Sequence, residues 1–291
     1  MVQNLRRYKN KLRFLCSFEI LDAHAHVTER GPYVDKKRGV QIEAYPEKLI
    51  QQMNGLGIHK AVIMALRFPG ACENPDTNDF IARTVMSHKE RFIGFACVNP
   101  KEGEKAVEDL EYSVRKLGLR GLKLHPCEQQ FYPNDPQTYP VIEKAVKFRI
   151  PIEIHSGHSG GGLLKFGRPI HIDELATTFP EAKIIMLHTG GSKGRFLHNS
   201  YEALEVAYKN DNVLLETSYA SINTIKTAIE LIGPERIIFG SDSGGGGHNP
   251  TFELLKIIDL HYRFPKVLKS TDELELILGG NISRILNERK L

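Results

Sequence analysis

The chain has 291 residues, 41% hydrophobic and 25% charged, close to globular averages. That balance excludes a disordered chain, a collagen-like fibre and a coiled-coil rod, and no apolar run approaches the roughly 20 residues of a membrane span. Net charge is only +4, from 39 lysines and arginines against 35 acidic residues.

The chain opens on a basic extension, residues 1–17. Arg6, Arg7, Lys9, Lys11 and Arg13 supply five positive charges, and taking five from +4 leaves the rest near −1. The charge therefore describes a tail and not a basic groove, which argues against nucleic acid as a partner. The apolar stretch 14–21 is short and contains Glu19, and no small-residue cleavage site follows, so it does not read as a signal peptide. The four cysteines, Cys16, Cys72, Cys97 and Cys127, form no Cys-x-x-Cys pair, which fits a reducing compartment. We expect a cytoplasmic protein that makes no membrane contact.

From residue 18 the chain alternates between β-rich runs and amphipathic, helix-like stretches. Strands are predicted at 18–22, 60–66, 92–98, 121–125, 150–155, 183–188, 212–216 and 236–240. Helices are predicted between and after them at 47–56, 79–88, 103–116, 136–147, 172–179, 200–208, 222–231 and 251–262. A last helical pair, 272–278 and 281–287, should pack back onto the body. Alternation of this kind predicts a parallel sheet with helical crossovers. Eight units is the number that closes an α/β (TIM) barrel. The rival, an open doubly wound sheet, usually carries a glycine-rich phosphate turn after its first strand. Here the first strand leads instead into Asp22-Ala23-His24-Ala25-His26. No linker divides the chain, so 18–291 is read as one domain.

In such a barrel the active site lies at the C-terminal ends of the strands. His24 and His26 follow strand one, and an i, i+2 pair on a strand points to one side. Lys123 and His125 end strand four, His155 strand five, His188 strand six, and Asp242 follows strand eight. A single buried histidine is most often structural. So many strand-end groups around one mouth point to a metal, because neutral imidazole and carboxylate suit Zn²⁺ or a similar divalent ion.

These segments resemble a family. Asp22-Ala23-His24-Ala25-His26, Gly121-Leu122-Lys123-Leu124-His125-Pro126, Pro151-Ile152-Glu153-Ile154-His155-Ser156-Gly157, Ile185-Met186-Leu187-His188-Thr189-Gly190-Gly191, Phe239-Gly240-Ser241-Asp242 and Gly280-Asn281-Ile282-Ser283-Arg284-Ile285-Leu286 are similar, in order, to the amidohydrolase superfamily. The likeness is to the amidohydrolase-related branch that also holds aminocarboxymuconate semialdehyde decarboxylase. The resemblance implies one divalent metal on His24, His26, His155 and Asp242, with zinc the first choice and Mn²⁺, Fe²⁺ or Co²⁺ the alternatives. It implies that His188 and Asp242 are catalytic, activating a metal-bound water, and that the protein is a homodimer. Lys123 is expected as a cation beside the site. The alternatives for it are a structural role or a carbamate bridging two metals.

Arg67, after strand two, could grip a substrate carboxylate or pair with a loop carboxylate. His125 is a candidate substrate contact. So are His158 and His248, in the glycine-rich loops after strands five and eight. Glu153 and Glu216 are read as strand residues tolerated if paired.

The leading expectation is a metal-dependent hydrolase of an amide, ester or lactone of a small, carboxylated substrate. The alternative on the same residues is a decarboxylase or hydratase of a small carboxylic acid. A second alternative is a metal-binding barrel without catalysis.

Overall fold

The computed structural model describes residues 14–15, 17–31, 33–35, 40–157, 162–191, 198–245 and 250–288. Its parallel strands form a TIM barrel. The strand order follows the chain: β1 (Ile20–Val27) pairs with β4 (Ile58–Ala65), and β4 with β5 (Phe92–Gly94). The third barrel strand breaks at Phe95 and resumes as β6 (Ala96–Cys97). From there the order runs through β7 (Leu122–Leu124), β8 (Ile152–His155), β9 (Ile184–Leu187) and β10 (Val213–Glu216) to β11 (Ile237–Ile238).

Backbone bonds carry the pairing past both irregular places. Phe95 N donates to Ile63 O across the break. At the closing seam Ala23 N donates to Phe239 O, Asp242 N to His24 O and His26 N to Ser243 O. Thus β1 is held by β4 on one side and by residues 239–243 on the other. A hairpin unforeseen in the sequence, β2 (Tyr33–Asp35) against β3 (Val40–Ile42), follows β1.

Alternation along the strands sorts two apolar layers. Ala25, Val27, Ile63, Leu122, Leu124, Ile152 and Ile154 face the surrounding helices and join the larger core. Val62, Met64, Phe95, Cys97, Ile185, Leu187, Leu214 and Ile238 form a second cluster that fills the barrel interior. The helix Asn281–Asn287 contributes Ile282, Ile285 and Leu286 to that inner cluster. Asn281 fastens it by donating from Nδ2 to the carbonyls of Pro234 and Ile237 at 2.8 Å. The expected packing of the last helix is therefore found, and it seals the floor opposite the strand ends. No described helix is long and apolar enough to cross a membrane.

Candidate active site

The mouth begins with an irregularity in β1. The register of β1 against β4 shifts between Asp22 and Ala25. A shift of this kind re-aims side chains. Leu21 and Ala23 belong to the inner cluster, whereas Ala25 and Val27 belong to the outer one. The phase change leaves His24 and His26 both facing inward. Asp22 pins the distorted stretch: Oδ1 accepts from His24 N at 3.1 Å and Ser241 N at 2.9 Å, and Oδ2 accepts from Ser241 Oγ at 2.5 Å. Burial pushes the Asp22 carboxyl up to about 7, against the bonds from Ser241 and His24 that hold it down.

Three donor atoms converge there. His24 Nε2 and His26 Nε2 lie 3.0 Å apart. Asp242 Oδ1 lies 3.4 Å from the first and 3.1 Å from the second. His26 Nδ1 is 2.9 Å from Ala65 O. A carbonyl only accepts, so Nδ1 carries a proton, which leaves Nε2 as the atom that can offer a lone pair to an ion. Burial, then the charge of Lys123, holds His24 well below its ordinary value, which keeps that ring neutral. The edges of a tetrahedron with metal–ligand bonds near 2.1 Å are about 3.4 Å. Two imidazoles and a carboxylate at these separations fit a divalent ion in chemistry and in spacing.

Lys123 lies beside this group, with Nζ 3.1 Å from His24 Nε2. It is fully buried, and burial lowers its pKa against the pull of Glu153, Asp242 and Glu216. The register places Glu153 directly beside it on β8. Glu153 is sealed in the interior with no hydrogen bond to either carboxylate oxygen among the described residues, and burial raises its pKa well above the usual range. The condition for tolerating a strand glutamate is therefore met only in part: Glu153 has a cation as a neighbour but no hydrogen-bonded partner among the described residues.

His155 takes a different direction from the three converging groups. Its ring stacks on His125 at 3.9 Å and 14°, and its Nδ1 lies 3.0 Å from His188 Nε2. Among the described residues, His155 belongs to neither compact cluster of donor atoms, His24–His26–Asp242 or His24–His188–Glu216. Phe68 closes this wall, with its ring centre 4.8 Å from His125 and 5.8 Å from His26.

His188 sits on a turn with φ of 65° there and 46° at Thr189. Asp242 and Tyr219, also at the mouth, have φ of 54° and 57°. Such strain in non-glycine residues gathers at functional sites. Glu216 holds the His188 turn: Oε2 accepts from His188 N at 2.8 Å and from Ser218 Oγ at 2.7 Å. Ser218 Oγ also lies 2.7 Å from His188 Nδ1. Burial pushes Glu216 up to about 7 while these backbone and hydroxyl donors hold it down. Tyr219 stands edge-on to His188 at 5.2 Å.

Arg67 is engaged by a loop carboxylate. Its Nη2 donates to Asp76 Oδ1 at 2.5 Å and its backbone N to Oδ2 at 2.9 Å. This is the pairing that stood as the alternative to a substrate contact. Asp76 also binds Thr28 Oγ1 and Glu29 N at 3.2 Å, tying the loops after β1 and β4 together. His158 and His248 lie outside the described residues.

Sequence reasoning read Glu216 only as a strand residue tolerated if paired, and passed over Ser218 and Tyr219. Their signal was positional: Glu216 ends predicted strand seven as His155 ends strand five, and Ser218 follows it two residues on.

The model of the amidohydrolase family matches residues 21–287. The chain belongs to that family, in the amidohydrolase-related branch. Gamma-resorcylate decarboxylase of Polaromonas sp. is 28% identical over a 207-residue alignment that takes in 57% of this chain and 64% of that one. The chain thus matches just under two thirds of that curated relative. Among solved structures, 5-carboxyvanillate decarboxylase of Novosphingobium aromaticivorans, complexed with manganese and 4-hydroxy-3-methoxy-5-nitrobenzoic acid, superposes with a TM-score of 0.70. It is 16% identical, over 94% of this chain and 97% of that one. Dihydroxybenzoic acid decarboxylase of Polaromonas sp. JS666, with manganese and 2-nitroresorcinol, gives 0.68 at 19% identity, over 94% and 98%. At these identities the structural likeness establishes the fold. These named relatives are decarboxylases of aromatic acids, and they overturn the hydrolase expectation in favour of its lyase alternative.

Proposed function

We propose that this protein is a metal-dependent decarboxylase of small aromatic carboxylic acids. The observation that carries the reading is the convergence of His24 Nε2, His26 Nε2 and Asp242 Oδ1 beside a buried lysine and against a wall of flat rings. The decarboxylase relatives support it. Decarboxylation breaks the bond from ring carbon to carboxylate and releases carbon dioxide. The bonding electron pair stays on the ring carbon, which then takes a proton.

His24, His26 and Asp242 would hold the ion, with His155 able to join by turning its ring. When bound, a divalent ion would supply positive charge to fix the substrate's oxygens and withdraw electron density. Lys123 adds a second positive charge beside the same place, which favours an anionic substrate. His188 is the group placed to hold and deliver the proton, its orientation set by Ser218 and its Nε2 against His155. Phe68, His125 and His155 present ring faces and edges to a planar substrate and keep water away. Asp242, in the same cluster, would balance the ion's charge and could accept a proton and return it. Manganese belongs in the first trials with zinc, because two neighbouring structures hold it. A cytoplasmic homodimer remains part of this proposal.

The test is metal-stripped protein given 2,6-dihydroxybenzoate, the substrate in the name of another solved neighbour, and 5-carboxyvanillate. Carbon dioxide release should be absent without metal and restored by Mn²⁺ or Zn²⁺. Release that is indifferent to metal would contradict the reading.

A further inference from the structure

We propose that Glu216 is one positioning residue shared by two functional side chains, the metal-binding His24 and the proton-handling His188. The inference rests on the metal reading above and adds a residue and a linkage to it.

The His188 arm is already formed, by the backbone bond at 2.8 Å and through Ser218 Oγ. The His24 arm follows from proton accounting. If His24 Nε2 faces the ion, its only proton is on Nδ1. That atom is buried with no hydrogen-bond partner among the described residues. Glu216 Oε2 lies 3.6 Å from it, and the carboxylate is itself fully buried. Closing the gap by a few tenths of an ångström would complete a carboxylate–histidine–metal chain, which orients the ring and raises its basicity. The same oxygen lies 3.7 Å from His188 Nδ1. One carboxylate on β10 would thus link His24 on β1 to His188 just after β9. Gly240 makes room for it: a Cβ there would lie 2.4 Å from Glu216 Oε1.

The experiment measures Kd for Mn²⁺ by chelator competition in metal-stripped wild type, Glu216→Gln and Ser218→Ala. Glu216→Gln should weaken Mn²⁺ binding by roughly 10- to 100-fold, the scale of losing an outer partner of a ligand. Ser218→Ala removes the hydroxyl that bridges Glu216 Oε2 and His188 Nδ1 but leaves the carboxylate in place, so it should weaken Mn²⁺ binding far less than Glu216→Gln while lowering kcat. An unchanged Kd in Glu216→Gln overturns the proposal. So does an equal weakening in Ser218→Ala, which would mean general loosening. Should Glu216→Gln fail to fold, Glu216→Asp carries the test, because withdrawing the carboxylate by one methylene should also raise Kd, and no change overturns the linkage. Wild type that takes up no Mn²⁺ at all would defeat the metal reading itself, a result distinct from equal binding by wild type and variant.

Discussion

His188 holds a backbone conformation that side-chain-bearing residues rarely adopt, and Thr189 follows with another. Each such residue costs about 1–3 kcal/mol. Glu216 offsets the strain by receiving the His188 N–H, and Thr189 Oγ1 donates to Glu216 O at 2.8 Å. The result is an imidazole fixed at both nitrogens, Nδ1 by Ser218 and Nε2 by His155. We expect His188→Asn to lower turnover at least roughly 100-fold, the scale of losing a positioned acid or base, with metal content as in wild type. Turnover equal to wild type, measured beside metal analysis of the same sample, would remove His188 from the mechanism. The residue types of this site were legible in the sequence where they recur at strand ends, as at His24, His26 and Asp242. The direction of His155 was not, because it depends on stacking with His125, which no spacing encodes. Glu216 drew no functional role from the sequence because a glutamate in a strand is ordinary until donors from His188 and Ser218 are seen to converge on it.

The elements that carry these residues are tied by polar contacts at their margins. The helix Ile170–Thr178 follows the loop from His155, and the helix His198–Lys209 follows the loop from His188. Lys209 Nζ reaches both oxygens of Asp173 at 2.7 Å, and Asn210 Nδ2 donates to Asp173 Oδ1 at 2.7 Å. Arg168 grips Glu202 through Nε and Nη2, and Ile170 N donates to the same carboxylate. Burial raises the pKa of Asp173 and Glu202, but these bonds outweigh it and hold both below their ordinary values. A depressed carboxylate stabilises the fold above its unfolded pKa, about 4, and that stability is lost as pH falls through the folded value. Asp173→Asn should therefore be less stable than wild type at pH 7, and the gap should narrow on acidification below about pH 4. Urea midpoints across that range check this, and a gap that stays constant would contradict it. The β1 irregularity belongs to this scale too. Alternation predicts two histidines on one side, but not that Asp22 and Ser241 would reset the strand's phase just before them.

For the whole molecule, the repeat of strand and helix made the barrel legible, since each crossover demands a parallel neighbour and eight such units close a ring. Its irregular places were not legible. The hairpin Tyr33–Asp35 with Val40–Ile42 has strands of three residues, too short for a periodic signal. At the break, the Phe95 ring lies against Gly121, where a Cβ would meet it at 2.4 Å. The chemistry was legible only as far as a metal-dependent reaction. One scaffold hosts both hydrolysis and carbon–carbon cleavage, and it is the decarboxylase relatives, not the residues, that favour the second reading.

That second reading is the central claim. The most direct measurement supplies the manganese-loaded protein with 2,6-dihydroxybenzoate and 5-carboxyvanillate carrying carbon-13 in the carboxyl group, and follows the label by NMR. The account predicts that the carboxyl resonance of at least one acid decays as labelled carbon dioxide and bicarbonate appear. Labelled acids that stay intact, from a protein that holds its metal and opens an ester, amide or lactone instead, would contradict it.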